Sequence, residues 1–90
     1  MNQKIKTYVN LAIKSGQVVR GTDKILQLKR AEIIILSPSL SENAKSKIEK
    51  NIKTTILTIG DVLPDNCLAL AILNNSLSQA IISEWRKQEE

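Results

Sequence analysis

The stretch from residue 15 to residue 24 holds the side chains that are best placed to bind a ligand. A short β-branched run predicts a strand, which passes through Gly21 into the first turn of a helix. A helix start exposes unpaired backbone N–H groups and the positive end of a dipole. Arg20 and Lys24 add full positive charge beside it. The spacing therefore predicts a site for a phosphate or for the polar edge of a base.

The composition argues against most catalytic chemistry. The chain has no His, which removes the commonest general base and the commonest metal ligand. Its single cysteine, Cys67, lies in the apolar run 67–73 and indicates a buried structural thiol in a reducing compartment. Phosphate-loop, dinucleotide, metal-cluster and triad patterns are all missing from the sequence. We therefore expect no enzyme activity, no cofactor and no metal.

Length and charge predict one small domain with an anionic partner. Ninety residues form a single domain over 1–90, and 13 basic against nine acidic residues give a net charge of +4. This balance favours nucleic acid, while a plain soluble domain with a modest positive excess is an equal alternative. Tyr8 and Trp85 are the whole aromatic complement, which weakens models that need aromatic stacking platforms.

The N-terminal residues show no signal-peptide pattern. The longest apolar run, 67–73, is far too short to span a membrane. The sequence therefore predicts a cytoplasmic protein with no membrane partner.

Hydrophobic periodicity predicts helices that alternate with buried strands, in the order α β α β α β β α. The helices are expected over 3–14, 23–30, from about 40 to 51, and after Asn74, and the strands over 17–20, 32–36, 54–59 and 67–73. Residues 62–66 are expected to form a loop or a single helical turn.

Helix ends and faces can also be predicted. Thr22 is the expected N-cap of the second helix, and Ser39 with Glu42 predicts a capping box for the third. The run Asn74-Asn75-Ser76 is expected to cap the last helix. The outer lysines of that third helix are interspersed with acidic residues, which indicates an ordinary solvated face; they are Lys45, Lys47, Lys50 and Lys53, mixed with Glu42 and Glu49.

Several segments taken in order resemble the L-seven-Ae/L-thirty-e ribosomal-protein family, and its small bacterial YlxQ-like members in particular. They are LAIKSG at 11–16, VV at 18–19, GT at 21–22, the strand at 33–36, SPSLSEN at 37–43 and CLALAILNNSLSQAI at 67–81. The resemblance implies an α/β fold, a three-layer α/β/α sandwich with a mixed four-stranded sheet. It also implies a ribosome-associated ribonucleoprotein that binds kink-turn RNA, with ribosomal RNA or an mRNA leader as candidate partners.

The resemblance also implies which residues contact the RNA. The turn into the second helix would enter the widened groove, through Arg20, Gly21, Thr22, Asp23, Lys24 and Gln27. A second loop would cover a flipped-out base, through Val62, Leu63, Pro64 and Asp65. The sequence departs from the Gly-x-Asn-Glu-x-x-Lys pattern of strong kink-turn binders at Asp23, Lys24 and Gln27. A carboxylate at Asp23 accepts hydrogen bonds from base amino groups but repels phosphate, so general RNA binding is the firmer expectation.

Two other functions stay open on the sequence alone. The chain could be a protein-interaction or assembly module of the same fold, with weak or lost RNA binding. A small-molecule-binding α/β domain is the third alternative, although no Gly-rich phosphate loop supports it.

Overall fold

The computed structural model describes residues 3–64 and 66–89. Their helices and strands follow in the order α1 (Gln3–Lys14), β1 (Val18–Arg20), α2 (Thr22–Leu26), β2 (Ile33–Leu36), α3 (Glu42–Asn51), β3 (Thr55–Thr58), β4 (Ala69–Ile72) and α4 (Asn75–Glu89). The predicted order of elements is confirmed, although several of them are shorter than expected.

The four strands form one mixed sheet in the order β1-β4-β2-β3. Strand β4 pairs antiparallel with both β1 and β2, and β2 pairs parallel with β3. The predicted α/β class and mixed four-stranded sheet are therefore confirmed. Strand β1 lies at one edge of the sheet, as its short length suggested, and β2 lies in the interior, as its uninterrupted apolar run predicted.

Every residue of β2 and β4 is buried, and alternate side chains supply two separate hydrophobic cores. Ile33, Ile35, Leu70 and Ile72 join the first core, which also contains Ile5 of α1 and Ile81 of α4. The other face of the same strands, Ile34, Leu36, Ala69 and Ala71, joins the second core. That core contains Ile25 of α2 and Ile48 of α3. One pair of helices thus covers each face of the sheet.

Helix α2 is shorter than the predicted 23–30 and ends at Leu26. At its end, the Gln27 and Leu28 N–H groups donate to carbonyls three residues back, at 3.2 and 3.0 Å. The Asn51 amide of α3 also donates to the Leu26 carbonyl at 2.7 Å. These bonds satisfy groups that a longer helix would use, so the chain leaves the helix and Leu28 packs against the second core from the following segment.

Two predicted helix caps are wrong. Gly21, not Thr22, is the N-cap of α2, and no side chain of residues 3–64 or 66–89 caps that end. Ser41, not Ser39, caps α3, with its Oγ accepting from the Ala44 N–H at 3.3 Å. The Leu40 N–H donates to the Ser37 carbonyl at 3.0 Å, so residues 37–40 form a turn that delays the start of the helix.

The cap of α4 is confirmed, because the Asn74 Oδ1 accepts from the Leu77 N–H at 2.8 Å. Asn74 also donates through Nδ2 to the Gln17 Oε1 at 2.6 Å. This second bond ties the start of α4 to the chain just before β1.

The Ser78 side chain offers a test of core packing in α4. Its Oγ is fully buried and has no hydrogen-bond partner among the described residues. A buried hydroxyl without a partner costs about 1–3 kcal/mol, and alanine is also the better helix former. We expect Ser78→Ala to raise the free energy of unfolding by about 1 kcal/mol or more in urea titrations.

Ser83→Ala is the matched control, because Ser83 is exposed in the same helix. Ser83→Ala should raise the free energy of unfolding only by the difference in helix propensity between serine and alanine, about 0.5 kcal/mol or less. A loss of stability in Ser78→Ala would show that the hydroxyl has a partner in solution.

Candidate nucleic-acid interface

Four chain segments meet at one end of the sheet. The Gly21 N–H donates to the Ala69 carbonyl at 3.1 Å, and the Ser37 N–H donates to the Leu68 carbonyl at 2.8 Å. The Ile59 N–H donates to the Leu36 carbonyl at 3.0 Å. We call residues 20–22, 37–39, 59–60 and 66–68 the sheet-end surface. It collects the carboxyl ends of β1, β2 and β3, which is where open α/β sheets usually bind ligands.

The first predicted group of RNA contacts lies at or beside this surface. Arg20, Asp23, Lys24 and Gln27 are exposed, and Thr22 is half-buried. Gly21 has φ 93° and ψ 143°, a conformation that is essentially restricted to glycine. The glycine therefore lets the chain turn sharply from β1 into α2 while its N–H stays bonded to β4.

The expected helix N-terminus is a weaker anion site than the sequence suggested. Helix α2 has five residues, little more than one turn, so few peptide dipoles add along its axis. Attraction for a phosphate at this point must come mainly from the lysine and arginine side chains.

Arg20 and Lys24, the two cations of residues 15–24, lie on different sides of the sheet. Val18 packs against the first core and Val19 against the second. Because side chains alternate along a strand, Arg20 shares the side of Val18, the side of α1 and α4. Lys24 belongs to α2 on the other side. The pair therefore flanks the sheet edge from two sides.

The second predicted group is only partly available to a ligand. Val62 is 2% exposed and belongs to the first core, so the prediction that its side chain covers a base is corrected. Leu63 and Pro64 are half-buried, and Leu63 packs against the same core. Asp65 lies outside the described residues. The side chain of Val62 instead packs into the first core beneath this loop.

Leu68 is the surface residue that sequence reasoning missed. It was expected inside a buried strand over 67–73, but β4 begins at Ala69 and Leu68 is 47% exposed. Asn66 has φ 62°, the left-handed region that asparagine tolerates better than most residues. A Pro-Asp-Asn sequence is typical of a turn, and this signal could have placed the strand start later.

Positive charge is present on both faces of the domain. Residues 21–53 contain seven Lys or Arg and four Asp or Glu, whereas the rest of the chain contains six and five. Both helices of that stretch, α2 and α3, cover the second core. Helices α2 and α3 together carry only four Lys against three Asp or Glu, whereas α1 on the other face carries Lys4, Lys6 and Lys14 and no acidic residue.

Two shallow grooves open on the described surface. One, of about 350 Å³, is lined by Leu26, Lys47, Lys50 and Asn51. The other, of about 360 Å³, is lined by Leu28, Arg30, Ala31, Glu32 and Leu73. Both volumes fall at the lower end of those of ligand pockets, roughly 300–1,000 Å³, so volume alone does not decide the small-molecule alternative.

Residues 3–64 and 66–89 contain neither a metal-binding cluster nor a membrane-spanning helix. No group of three Cys, Asp or Glu side chains there is arranged to hold a metal ion. No helix in the same residues is long and apolar enough to cross a membrane.

Comparison with known proteins adds no family assignment. No protein-family model matches the chain, and no curated protein matches it. The resemblance to the L-seven-Ae/L-thirty-e family therefore stays a prediction.

Substitution at Gly21 tests the turn that builds the sheet-end surface. A Cβ added there would meet no atom of the described residues within 4 Å, so the expected cost is backbone strain alone. We expect Gly21→Ala to lower the free energy of unfolding by about 1–3 kcal/mol in urea titrations.

Thr22→Ala is the control for this prediction. The Thr22 side chain caps no helix, so its replacement should change stability by no more than about 0.5 kcal/mol. Wild-type stability in Gly21→Ala would show that the turn does not require a positive φ.

Proposed function

We propose that this protein is a non-enzymatic, ribosome-associated RNA-binding protein that recognises kink-turn or related structured RNA. The sheet-end surface and the adjoining α2 form its contact surface. The observation that carries the proposal is the pair of exposed cations, Arg20 and Lys24, that flank a surface built from strand ends. The residues at this surface resemble the RNA-contacting turn of the L-seven-Ae/L-thirty-e family.

The exposed side chains divide into two kinds of contact. Arg20 and Lys24 bind phosphate oxygens, which provides affinity and orientation but little sequence information. The Gln27 amide and the Asp23 carboxylate can hydrogen-bond base edges, with Asp23 accepting from amino groups. Because the deep groove of A-form RNA is closed to side chains, such contacts require a bulge or internal loop.

Leu68 provides apolar surface for an unstacked base. It lies between the Ser37 turn and Ala69, whose carbonyl holds the Gly21 N–H. Its exposed side chain takes the role that the sequence predicted for Val62. An aliphatic contact of this kind limits the stacking energy, because aromatic side chains provide the larger base contacts.

Anisotropy titration of a kink-turn RNA and of an unkinked control duplex tests the proposal. We expect tighter binding to the kink-turn RNA, with affinity falling by about 0.9 log unit per log unit of salt for each phosphate contact. Equal and weak binding to both RNAs would overturn kink-turn recognition, and no binding to either would overturn RNA binding altogether.

Three single variants locate the site within the same titration. If Arg20→Ala and Lys24→Ala each remove one phosphate contact, each variant should bind RNA roughly eightfold more weakly than the wild type at 0.1 M salt. The difference should disappear near 1 M salt. Lys4→Ala is the control, since Lys4 is exposed on α1, which packs on the other face of the sheet from α2. Equal losses in all three variants would show that binding follows net charge rather than this surface.

A protein-interaction module is the second candidate, and the exposed side chains of three leucines favour it. Leu11, Leu68 and Leu73 are 48%, 47% and 42% exposed. Partners that copurify with the protein after nuclease treatment would support this function. Loss of all partners on nuclease treatment would count against it.

A further inference from the structure

In the folded helix α3, Lys47 and Lys50 lie on a different flank from the acidic residues. In the sequence the two signs alternate, which suggested a solvated face. At about 3.6 residues per turn, however, Asn43, Lys47 and Lys50 follow one another along one flank of the helix. Glu42 and Glu49, with Lys45 between them, follow the opposite flank. The mixed sequence thus separates into two stripes of different charge.

The lysine stripe is the flank that faces α2. Lys47 and Lys50 line the groove of about 350 Å³ together with Leu26, the last residue of α2. Asn51 lines the same groove and donates to the Leu26 carbonyl at 2.7 Å, which fixes the end of α2 against α3. The lysines therefore lie beside the C-terminal end of α2, the helix that begins at the sheet-end surface.

No neighbour among the described residues neutralises either lysine. Lys47 and Lys50 are exposed, and the ion pairs found in the described part of the chain are Arg30–Glu32 and Lys87–Glu84. The ammonium groups of Lys47 and Lys50 lie about one helical turn apart, with apolar Leu26 beside them. This arrangement can bind successive negative charges of an extended polyanion. Lysine is a compact point charge that suits phosphate without demanding a fixed orientation.

We infer that this α2–α3 groove, defined by Leu26, Lys47, Lys50 and Asn51, is a second contact site for the phosphodiester backbone of the bound RNA. The inference rests on the proposed RNA-binding function and extends its footprint from the sheet-end surface onto α3. The groove contributes affinity that is electrostatic and independent of sequence, while discrimination between RNAs belongs to the sheet-end surface.

The test compares two double variants that lose the same charge. Lys47→Gln/Lys50→Gln removes the groove cations, and Lys4→Gln/Lys6→Gln removes two exposed lysines of α1, which packs on the first core. Each is titrated with a fluorescent kink-turn RNA from 0.1 to 1 M KCl, and circular dichroism verifies that the helices remain folded.

Loss of two phosphate contacts should lower the salt slope of the groove variant by about 1.8 and its affinity at 0.1 M by up to about 60-fold, with convergence near 1 M. The α1 variant should keep a slope close to that of the wild type. Equal slopes in the two variants would overturn the groove site while leaving RNA binding intact. Failure of the wild type to bind RNA would overturn both proposals.

A competition experiment separates RNA from acidic protein as the occupant. Unlabelled duplex RNA should displace the labelled RNA from the wild type more effectively than poly-glutamate at equal charge concentration. Poly-glutamate that competes as well as the duplex, and loses this ability in Lys47→Gln/Lys50→Gln, would assign the groove to an acidic polypeptide instead.

Discussion

Strands β2 and β4 present no exposed side chain, and this constraint shapes the rest of the domain. A strand pair that is apolar on both faces must be covered on both faces, since each buried methylene contributes about 0.8 kcal/mol. Helices α1 and α4 cover one side, and α2 and α3 cover the other. Little of the sheet remains for function except its ends and edges, together with the outer surfaces of the helices.

The placement of the candidate site follows from this arrangement. The connection from β1 through α2 to β2 must turn sharply at Gly21 so that the chain can cross onto the second core. That turn brings Gly21 beside the start of β4, where Leu68 emerges from the loop that follows β3. Exposed cations lie on both sides of this turn, Arg20 before it and Lys24 after it. The turn that the fold requires and the surface suited to RNA thus lie in the same part of the molecule.

Sequence reasoning succeeded where a local pattern alone determines the structure. The run Ile33–Leu36 predicted an interior strand, and Asn74 predicted a helix cap, because neither depends on distant residues. It failed where tertiary contacts decide. Helix α2 ends at Leu26 partly because the side-chain amide of Asn51, 25 residues away, donates a hydrogen bond to the Leu26 carbonyl. Val62 is buried because the first core needs an apolar residue beneath that loop.

The location of the candidate site was partly predictable for the same reasons. Gly21 between a β-branched pair and a polar turn marked a change of direction, and the structure assigns it a positive φ. The exposure of Leu68 and the separation of charges on α3 required the strand start and the helix register to be known. Arg20 and Lys24 are near in sequence, yet strand alternation assigns Arg20 to the side of the sheet opposite α2.

Mapping the RNA contact surface by NMR tests the central claim most directly. In ¹H–¹⁵N spectra of the labelled protein titrated with a kink-turn RNA, we expect the largest amide shifts at Gly21–Lys24, Ser37 and Asn66–Leu68. Amides of α1 and α4 on the other face should move little. Shifts that cluster on α1 and α4, or the absence of shifts at saturating RNA, would contradict this account.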